Sequence, residues 1–400
     1  MIDGPSSLQG VPSDFAVRSL LSELNGAGPD DVMPIVLSGL ELEMGAVAVR
    51  LLFADVEERL LTVWGQAGTH ATEPSPRVMI DGSAQGQVYL TGRTVRGEID
   101  LEPAIIAPVI ARAERLGVLE VRLATPPLPR HEAVTDAIGL LLGYITVAAD
   151  HWTDEFHVAR RRQNMDLAAE AQWDSLPLAA FSTPRVAVAG ALEPAYEIAG
   201  DLFDYACGRA HLAACILDGM GHGVTSARLS DLALVAYRNA RRSGKDLGAQ
   251  AGFVHETLAR GFDREGFVTG QMLWVDLDRP GQSHIVNAGH PPPYVHRGRN
   301  DPETLDLHID YPFGMPFDNP LRTQELELRS GDRLVLYSDG VIEARPDGGD
   351  VFGEERLARE LVEVRDFPPR EAARRIIGAV RRHRAADLTD DATLLMVDIR

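Results

Sequence analysis

The chain is poor in cysteine and in positive charge, and it lacks long apolar runs; each shortage closes a class of function. Its 400 residues include two cysteines, Cys207 and Cys215, too few for a disulfide framework and without the C-x-x-C spacing of a structural metal site. Both stand among small apolar residues and read as buried thiols. Lysine and arginine total 39 against 59 aspartates and glutamates, a net charge of −20. That excess repels nucleic acid and anionic lipid and leaves divalent cations as the natural outlet for the acidity. No apolar run approaches the roughly 20 residues that cross a bilayer, and Met1–Val11 has neither the basic nor the apolar stretch of a secretory leader. The expected location is the cytoplasm, with no nucleic acid and no membrane as partner. Nothing argues against folding: 45% apolar and 24% charged residues are globular proportions. Four hundred residues are enough for two or three domains.

Residues 1–14, rich in Gly, Pro and Ser, read as a flexible leader. From Phe15 to Leu42 apolar residues recur every three or four positions and predict a helix; Ala46–Phe53 and Arg59–Trp64 then read as a hairpin. A glycine-punctuated stretch at 79–98, strands on either side of Gly117 and a helix from about His131 complete a unit spanning 15–150. Two of its segments, G-x-V-Y-x-T-G-R-x-V at Gly86–Val95 and A-P-x-x-x-R-x-x-x-L-G-V-L-E-V at Ala107–Val121, resemble a GAF-like α/β sensor domain. The resemblance implies a small ligand or partner of unknown identity held against the sheet. A structural or dimerising module without a ligand is the other reading, and no cysteine or paired histidine marks a cofactor. Val134, Ile138, Leu141, Ile145, Ala148 and Trp152 step by four and three, a heptad-like stripe running on into a linker helix over 151–177 that Pro177 stops. Such a stripe either pairs two chains into a homodimer through the linker helix or packs on its own domain.

Beyond Pro177 the chain is strand-rich, and its aspartates fall at the ends of apolar strands beside glycine or another turn residue. Asp201 and Asp204 lie in EIAGDLFD, Asp218 in CILDGMGHG, Asp339 in LVLYSDGVIEA, and Asp390 and Asp391 precede ATLLMVDI. Hard divalent cations take oxygen ligands, and a glycine lets a backbone carbonyl come close. Asp-Gly is equally a turn signal, so Asp218-Gly219 or Asp339-Gly340 alone decides nothing. Asp204 reads as a helix cap or a solvated loop residue, His222 as a loop histidine or a catalytic one, and His290, ahead of three prolines, as structural.

The order of nine segments settles the choice: AAEAQWDSLP (168–177), EIAGDLFDY (197–205), ILDGMGHGVTSA (216–227), FVTGQMLWVDLD (267–278), NAGHPPPYV (287–295), PFGM (312–315), LYSDGVIEAR (336–345), FGEERL (352–357) and DDATLLMV (390–397). Together they resemble the metal-dependent PPM, or type 2C, serine/threonine protein phosphatases of the bacterial SpoIIE and RsbU kind, over 178–400. The resemblance implies an α+β fold with a C-terminal αββα sandwich, two antiparallel sheets flanked by helices. It implies two Mn²⁺ or Mg²⁺ ions held by Asp201, Asp218, the Gly219 carbonyl, Asp339 and Asp390, with Asp391 as an adjacent ligand or a group just behind the ligands. On the same resemblance Asp218 would bridge the ions and water would be the nucleophile, with His222, or else metal-bound water, giving the leaving oxygen its proton. The implied substrate is a phosphorylated protein, an anti-anti-sigma factor with a STAS domain, and AAEAQWDSLP is where the sensor acts on the phosphatase. A catalytically silent scaffold keeping this fold is the alternative. A nuclease is opposed by the charge and by the lack of a basic, aromatic-interleaved stripe.

Overall fold

The computed structural model describes residues 14–68, 77–193, 196, 200–262, 266–317, 320–346, 348–384 and 391–400, the side chains of 14–19 excepted. Two compact units divide the chain at Arg162 and Gln163.

The N-terminal unit runs α1 (Asp14–Asn25), α2 (Pro29–Met44), β1 (Ala46–Ala54), β2 (Leu60–Gly68), β3 (Arg77–Met79), α3 (Ala84–Thr91), β4 (Val95–Ile99), β5 (Glu102–Ala111), β6 (Glu114–Leu123), α4 (Pro129–Ala149) and α5 (Glu155–Ala159). The single helix expected over 15–42 is two, because Gly26-Ala27-Gly28 interrupts it and Pro29 restarts it in the first turn, where its missing N–H costs nothing. One antiparallel sheet, ordered β3-β2-β1-β6-β5-β4, carries the unit. Alternation along β1 supplies both of its cores. Val49, Leu51 and Phe53 pack with α2 and α4, while Leu52 and Ala54 pack with Val88 and Tyr89 of α3.

The stripe on α4 belongs to the first of these cores. Val134 and Ile138 are buried with Ile105 and Val109 of β5, and Leu141 and Ile145 pack against them. Gly139 and Gly143 let the helix settle on β5 so closely that a Cβ would stand 2.4 Å from the Pro108 carbonyl oxygen and 2.2 Å from that of Ile110. The 4–3 spacing therefore records a face packed on its own domain. By length and composition α4 is also apolar enough to cross a membrane, contrary to the expectation that no segment approaches that length; here it lies on its own sheet. The linker helix expected over 151–177 is absent as one element. After Ala149 the chain turns, and the short α5 sends Phe156 edge-on against Phe53, with its ring 5.0 Å from that of Trp64. Arg160 and Arg162 then hold the β1–β2 turn, through the Ala54 carbonyl and Asp55. Helix resumes only at Leu167.

The second unit runs α6 (Leu167–Ser175), β7 (Ala180–Ser182), β8 (Val186–Glu193), β9 (Asp201–Cys207), β10 (His211–Gly219), α7 (Gly223–Arg242), α8 (Leu247–Gly261), β11 (Val268–Asp276), β12 (Ser283–Ala288), β13 (Tyr294–Arg297), β14 (Glu303–Thr304), β15 (Gln324–Leu326), β16 (Asp332–Tyr337), α9 (Asp339–Glu343), α10 (Gly353–Glu363), α11 (Pro369–Arg384) and β17 (Ala392–Ile399). Its two sheets are ordered β15-β12-β11-β10-β9 and β14-β13-β16-β17-β8-β7. Period-two burial stacks the layers. Leu212, Ala214 and Ile216 of β10 meet Leu334 and Leu336 of β16 and Leu395 and Val397 of β17 between the sheets. Cys215 and Leu217 turn outward to α7 and α8, and Val335, Tyr337, Leu394 and Met396 turn outward to α10 and α11. The arrangement is an αββα sandwich, as the motif order implied.

The close seating of α4 on β5 makes a stability prediction. Alanine at 143 gains about 1 kcal/mol of helix propensity but drives a methyl into backbone that cannot yield. Gly143→Ala should thus destabilise the N-terminal unit by about 1–3 kcal/mol net, read as a lower denaturation midpoint. An unchanged or raised midpoint would show that the helix does not sit this close.

Candidate metal centre

Strand ends bring the acidic residues together. Asp201 opens β9, Asp218 nearly closes β10, and the two are direct partners in the antiparallel ladder. Both share the alternation of Phe203 and Ile216, whose side chains fill the gap between the sheets. On the opposing sheet β16 ends and β17 begins at the same edge. Ser338 and Thr393 lock them, the Ser338 N–H donating to the Thr393 carbonyl at 3.0 Å and the Thr393 N–H to the Ser338 hydroxyl at 3.0 Å. Asp339 and Asp391 flank this lock. Gly340 starts α9 against the Asp391 carbonyl oxygen, where a Cβ would stand 1.9 Å away; Asp339-Gly340 is the entry to a helix and not a hairpin turn.

One side chain ties the two sheets at this edge. Gln172 of α6 donates from Nε2 to the Asp201 carbonyl at 2.7 Å and to Asp391 Oδ2 at 2.8 Å, and the Asp201 N–H also reaches Asp391 Oδ2 at 3.3 Å. Asp201 is 2% exposed, and its Oδ2 has no hydrogen-bond partner among the described residues. Burial, then the charges of Asp218 and Asp391, push its carboxyl well above the usual range. Burial also raises Asp339, against the N–H groups of Gly340 and of Asp339 itself. Carboxylates crowded and desolvated together favour the uptake of a proton or a positive ion. The donor set is all oxygen, which suits Mg²⁺ or Mn²⁺, and the unsatisfied Asp201 oxygen fits a ligand role. Among the described residues no three His, Cys, Asp or Glu side chains close on one point. Asp390, expected to be a ligand, lies outside the described residues.

The other expected residues divide. The Gly219 carbonyl accepts the Ser226 hydroxyl at 2.6 Å, leaving one lone pair for a second partner; any side chain at 219 would strike Ser226 and Ser230. His222 caps α7 in extended backbone without a side-chain capping bond and is exposed, three residues past Gly219. Asp204 is neither a helix cap nor a loop residue. It sits on the α7 side of β9, 2% exposed, held by Arg238 at 2.7 Å and Arg241 at 2.8 Å. Arginines a helical turn apart on a later helix give no sign in sequence of which carboxylate they serve.

Sequence reasoning also missed Gln172 and the support of Asp218. Thr269 Oγ1 lies 3.3 Å from Asp218 Oδ2 and 3.0 Å from His290 Nδ1. Asn287 clamps the His290 backbone through both amide atoms, each at 2.9 Å. Burial pushes the His290 ring down to about 3, so it is neutral at pH 7 and braces Thr269 as an uncharged partner. Cys215 is buried and Cys207 half-buried. Burial pushes the Cys215 thiol up, which leaves it inert as a nucleophile.

Residues 208–400 match the family model of the stage II sporulation protein E, SpoIIE. The phosphoserine phosphatase RsbU of Bacillus subtilis is 22% identical over 262 residues, 65% of this chain and 77% of that protein. The phosphoserine phosphatase RsbP of the same organism is 24% identical over 245 residues, 60% of this chain and 58% of that protein. Among solved structures, the PP2C phosphatase domain of Bacillus subtilis SpoIIE, with a fragment of its regulatory domain, is 23% identical, covers 54% of this chain and 64% of its own, and has a TM-score of 0.49.

Asp204 and Asp218 should respond oppositely to loss of charge. Asp204→Asn strands two largely buried guanidiniums and should cost about 2–4 kcal/mol, discounted for their partial exposure. Asp218→Asn relieves repulsion of Asp201, so in EDTA-treated protein its melting temperature should equal or exceed that of the wild type. A marked fall for Asp218→Asn in EDTA would mean that the pair is stabilised by something other than a bound cation.

Proposed function

Residues 208–400 carry a domain of the SpoIIE family, and from that premise we propose that the chain is a metal-dependent phosphatase of phosphoserine and phosphothreonine in proteins. One observation carries the reading: Asp201 and Asp218 face each other across β9 and β10 at the edge where Asp391 and Asp339 arrive from the other sheet. Asp201, Asp218, Asp339, Asp390, Asp391 and the Gly219 carbonyl would hold two Mg²⁺ or Mn²⁺ ions. Such ions, when bound, acidify water and offset the charge of a phosphate.

The remaining work falls to side chains of this chain. Gln172 fixes which way Asp391 points, and the Thr269–His290–Asn287 brace fixes Asp218. His222, exposed beside the site at the start of α7, is the group available to give the leaving serine or threonine oxygen its proton. The α6 residues of AAEAQWDSLP touch the site directly through Gln172, which makes this helix the point where the N-terminal unit, read as GAF-like, sets the activity. We take the substrate to be a phosphorylated anti-anti-sigma protein in the cytoplasm, in keeping with the naming of RsbU and RsbP as phosphoserine phosphatases. A homodimer is part of the proposal. With the α4 stripe buried, its surface would be the outer face of α4, where Leu140 and Tyr144 are exposed.

Turnover of a phosphoserine protein by the full chain should require added Mn²⁺ or Mg²⁺ and stop in excess EDTA. Asp218→Asn and Asp339→Asn should lower kcat by more than about 100-fold, beyond the usual reach of groups outside the ligand set. Gln172→Ala should instead raise the metal concentration for half-activity by about 10–100-fold. Full activity in EDTA, or a wild type silent at every metal concentration, would defeat the reading, the latter in favour of the scaffold.

A further inference from the structure

One step behind the acidic edge the interior of the sandwich changes character. Along β17 the inward residues run Asp391, Thr393, Leu395, Val397, and along β16 they run Leu334, Leu336 and then Ser338. Both strands thus exchange an apolar side chain for a hydroxyl at one level, and both hydroxyl residues are fully buried. A hydroxyl buried without a hydrogen bond is costly, so packing alone disfavours the pair.

The lock between the two strands does not account for them. It is made by the Ser338 N–H on the Thr393 carbonyl and by the Thr393 N–H on the Ser338 oxygen, so the Thr393 side chain has no part in it. Ser338 still has a proton to place, and the Asp391 carbonyl at 3.5 Å is at the outer limit of a bond. Thr393 Oγ1 is buried with no partner at bonding geometry among the described residues.

Both hydroxyls face Asp201, which comes from the opposing sheet where β9 packs on β17. Burial and the charges of Asp218 and Asp391 drive the Asp201 carboxyl up, and the two hydroxyls act the other way, as donors that favour the ionised form. Gln172 reaches only the backbone carbonyl of Asp201, which leaves the direction of its carboxylate to the facing sheet. Asp201 Oδ2 is buried and, like Thr393 Oγ1, unsatisfied among the described residues.

We propose that Thr393 and Ser338 are positioning residues, whose hydroxyls hold the Asp201 carboxylate across the gap between the sheets in the orientation that receives a divalent cation. This role rests on the acidic edge being a metal centre, and it makes the aim of one ligand on β9 depend on side chains of the other sheet.

Thr393 supplies the test, because valine keeps its branched shape and the backbone lock while removing the donor. Calorimetric titration of the full chain, freed of metal with EDTA and dialysed, with Mn²⁺ alone needs no substrate and no turnover. Thr393→Val should weaken Mn²⁺ binding by about tenfold or more, the usual effect of removing a group that orients a ligand. Thr393→Ser, which keeps the hydroxyl, should bind as the wild type does. In EDTA the Thr393→Val protein should melt no lower than the wild type, since its strand lock is intact. Wild-type Mn²⁺ affinity in Thr393→Val overturns the proposal, as does equal weakening by Thr393→Val and Thr393→Ser, which would mark disturbed packing and not a lost donor. Weaker binding together with a lowered melting temperature in EDTA would assign Thr393 to the fold alone. A wild type that takes up no Mn²⁺, or whose uptake survives Asp218→Asn unchanged, defeats the metal reading itself and this role with it.

Discussion

Two carboxylates placed opposite each other in one β-ladder are the constraint from which the phosphatase unit is organised. Like charges directly across an antiparallel pair oppose strand pairing, yet Asp201 and Asp218 stand in register at the end of β9 and β10. The ladder holds because the same strands bury Leu202, Phe203 and the run from Leu212 to Leu217 on both faces. At roughly 2 kcal/mol for each fully buried large side chain, that packing outweighs the repulsion of one pair. The stability of the sandwich is thereby set against its own acidic edge, and a cation would remove the opposition.

Among the described residues, uncharged polar groups make the side-chain bonds around Asp201 and Asp339. Gln172, Ser226, Ser338, Thr269, Thr393 and a neutral His290 supply hydrogen bonds or a brace. Among the described residues no arginine bonds to Asp201 or Asp339. Asp204, three residues from Asp201 and equally buried, has two. This contrast separates a carboxylate kept for structure from those kept for binding. A guanidinium beside Asp201 would satisfy it permanently and compete with any divalent ion, whereas amides and hydroxyls orient the oxygens and leave the charge to be met from outside.

Much of this edge was legible in the sequence because its information is local. A strand ending in Asp-Gly shows period-two alternation and a breaker, and the family resemblance carried by the order of several such segments along 170–400 implies the αββα layout. Gln172 was not legible, since its reach to Asp391 spans 219 positions and nothing in AAEAQWDSLP sets that glutamine apart. Asp204 was misread for the same reason: its partners lie on α7, 34 and 37 residues on. The stripe on α4 left two readings open for a different reason. A 4–3 repeat reports that a face is apolar and not what covers it, although Gly139 and Gly143, small residues four apart on one face, were the available hint of a closely seated neighbour. The break of the long linker was foreshadowed by Trp152-Thr153-Asp154, where polar residues interrupt the apolar period.

The two ends of the sandwich are joined by the same strands. β16 leads from Asp332 at the far end to the Ser338–Asp339 step at the acidic edge, and β17 returns from beside Asp391 to Asp398. Six residues of strand span about 20 Å, twice the Debye length of about 8–10 Å at physiological salt. A charge near Arg365 would therefore be felt weakly at Asp339 through space alone, more so because Asp398 and Asp332 lie near it. Any influence between the ends must travel through register and packing: a shift of β16 against β17 would move Ser338 relative to Thr393, and with it both Asp339 and Asp391. Those strands are also the most deeply buried of the unit, every residue of β16 and nearly all of β17, which favours rigid transmission over local yielding. The same rigidity sets its limit, since a ladder packed on both faces resists slipping by less than a full register step.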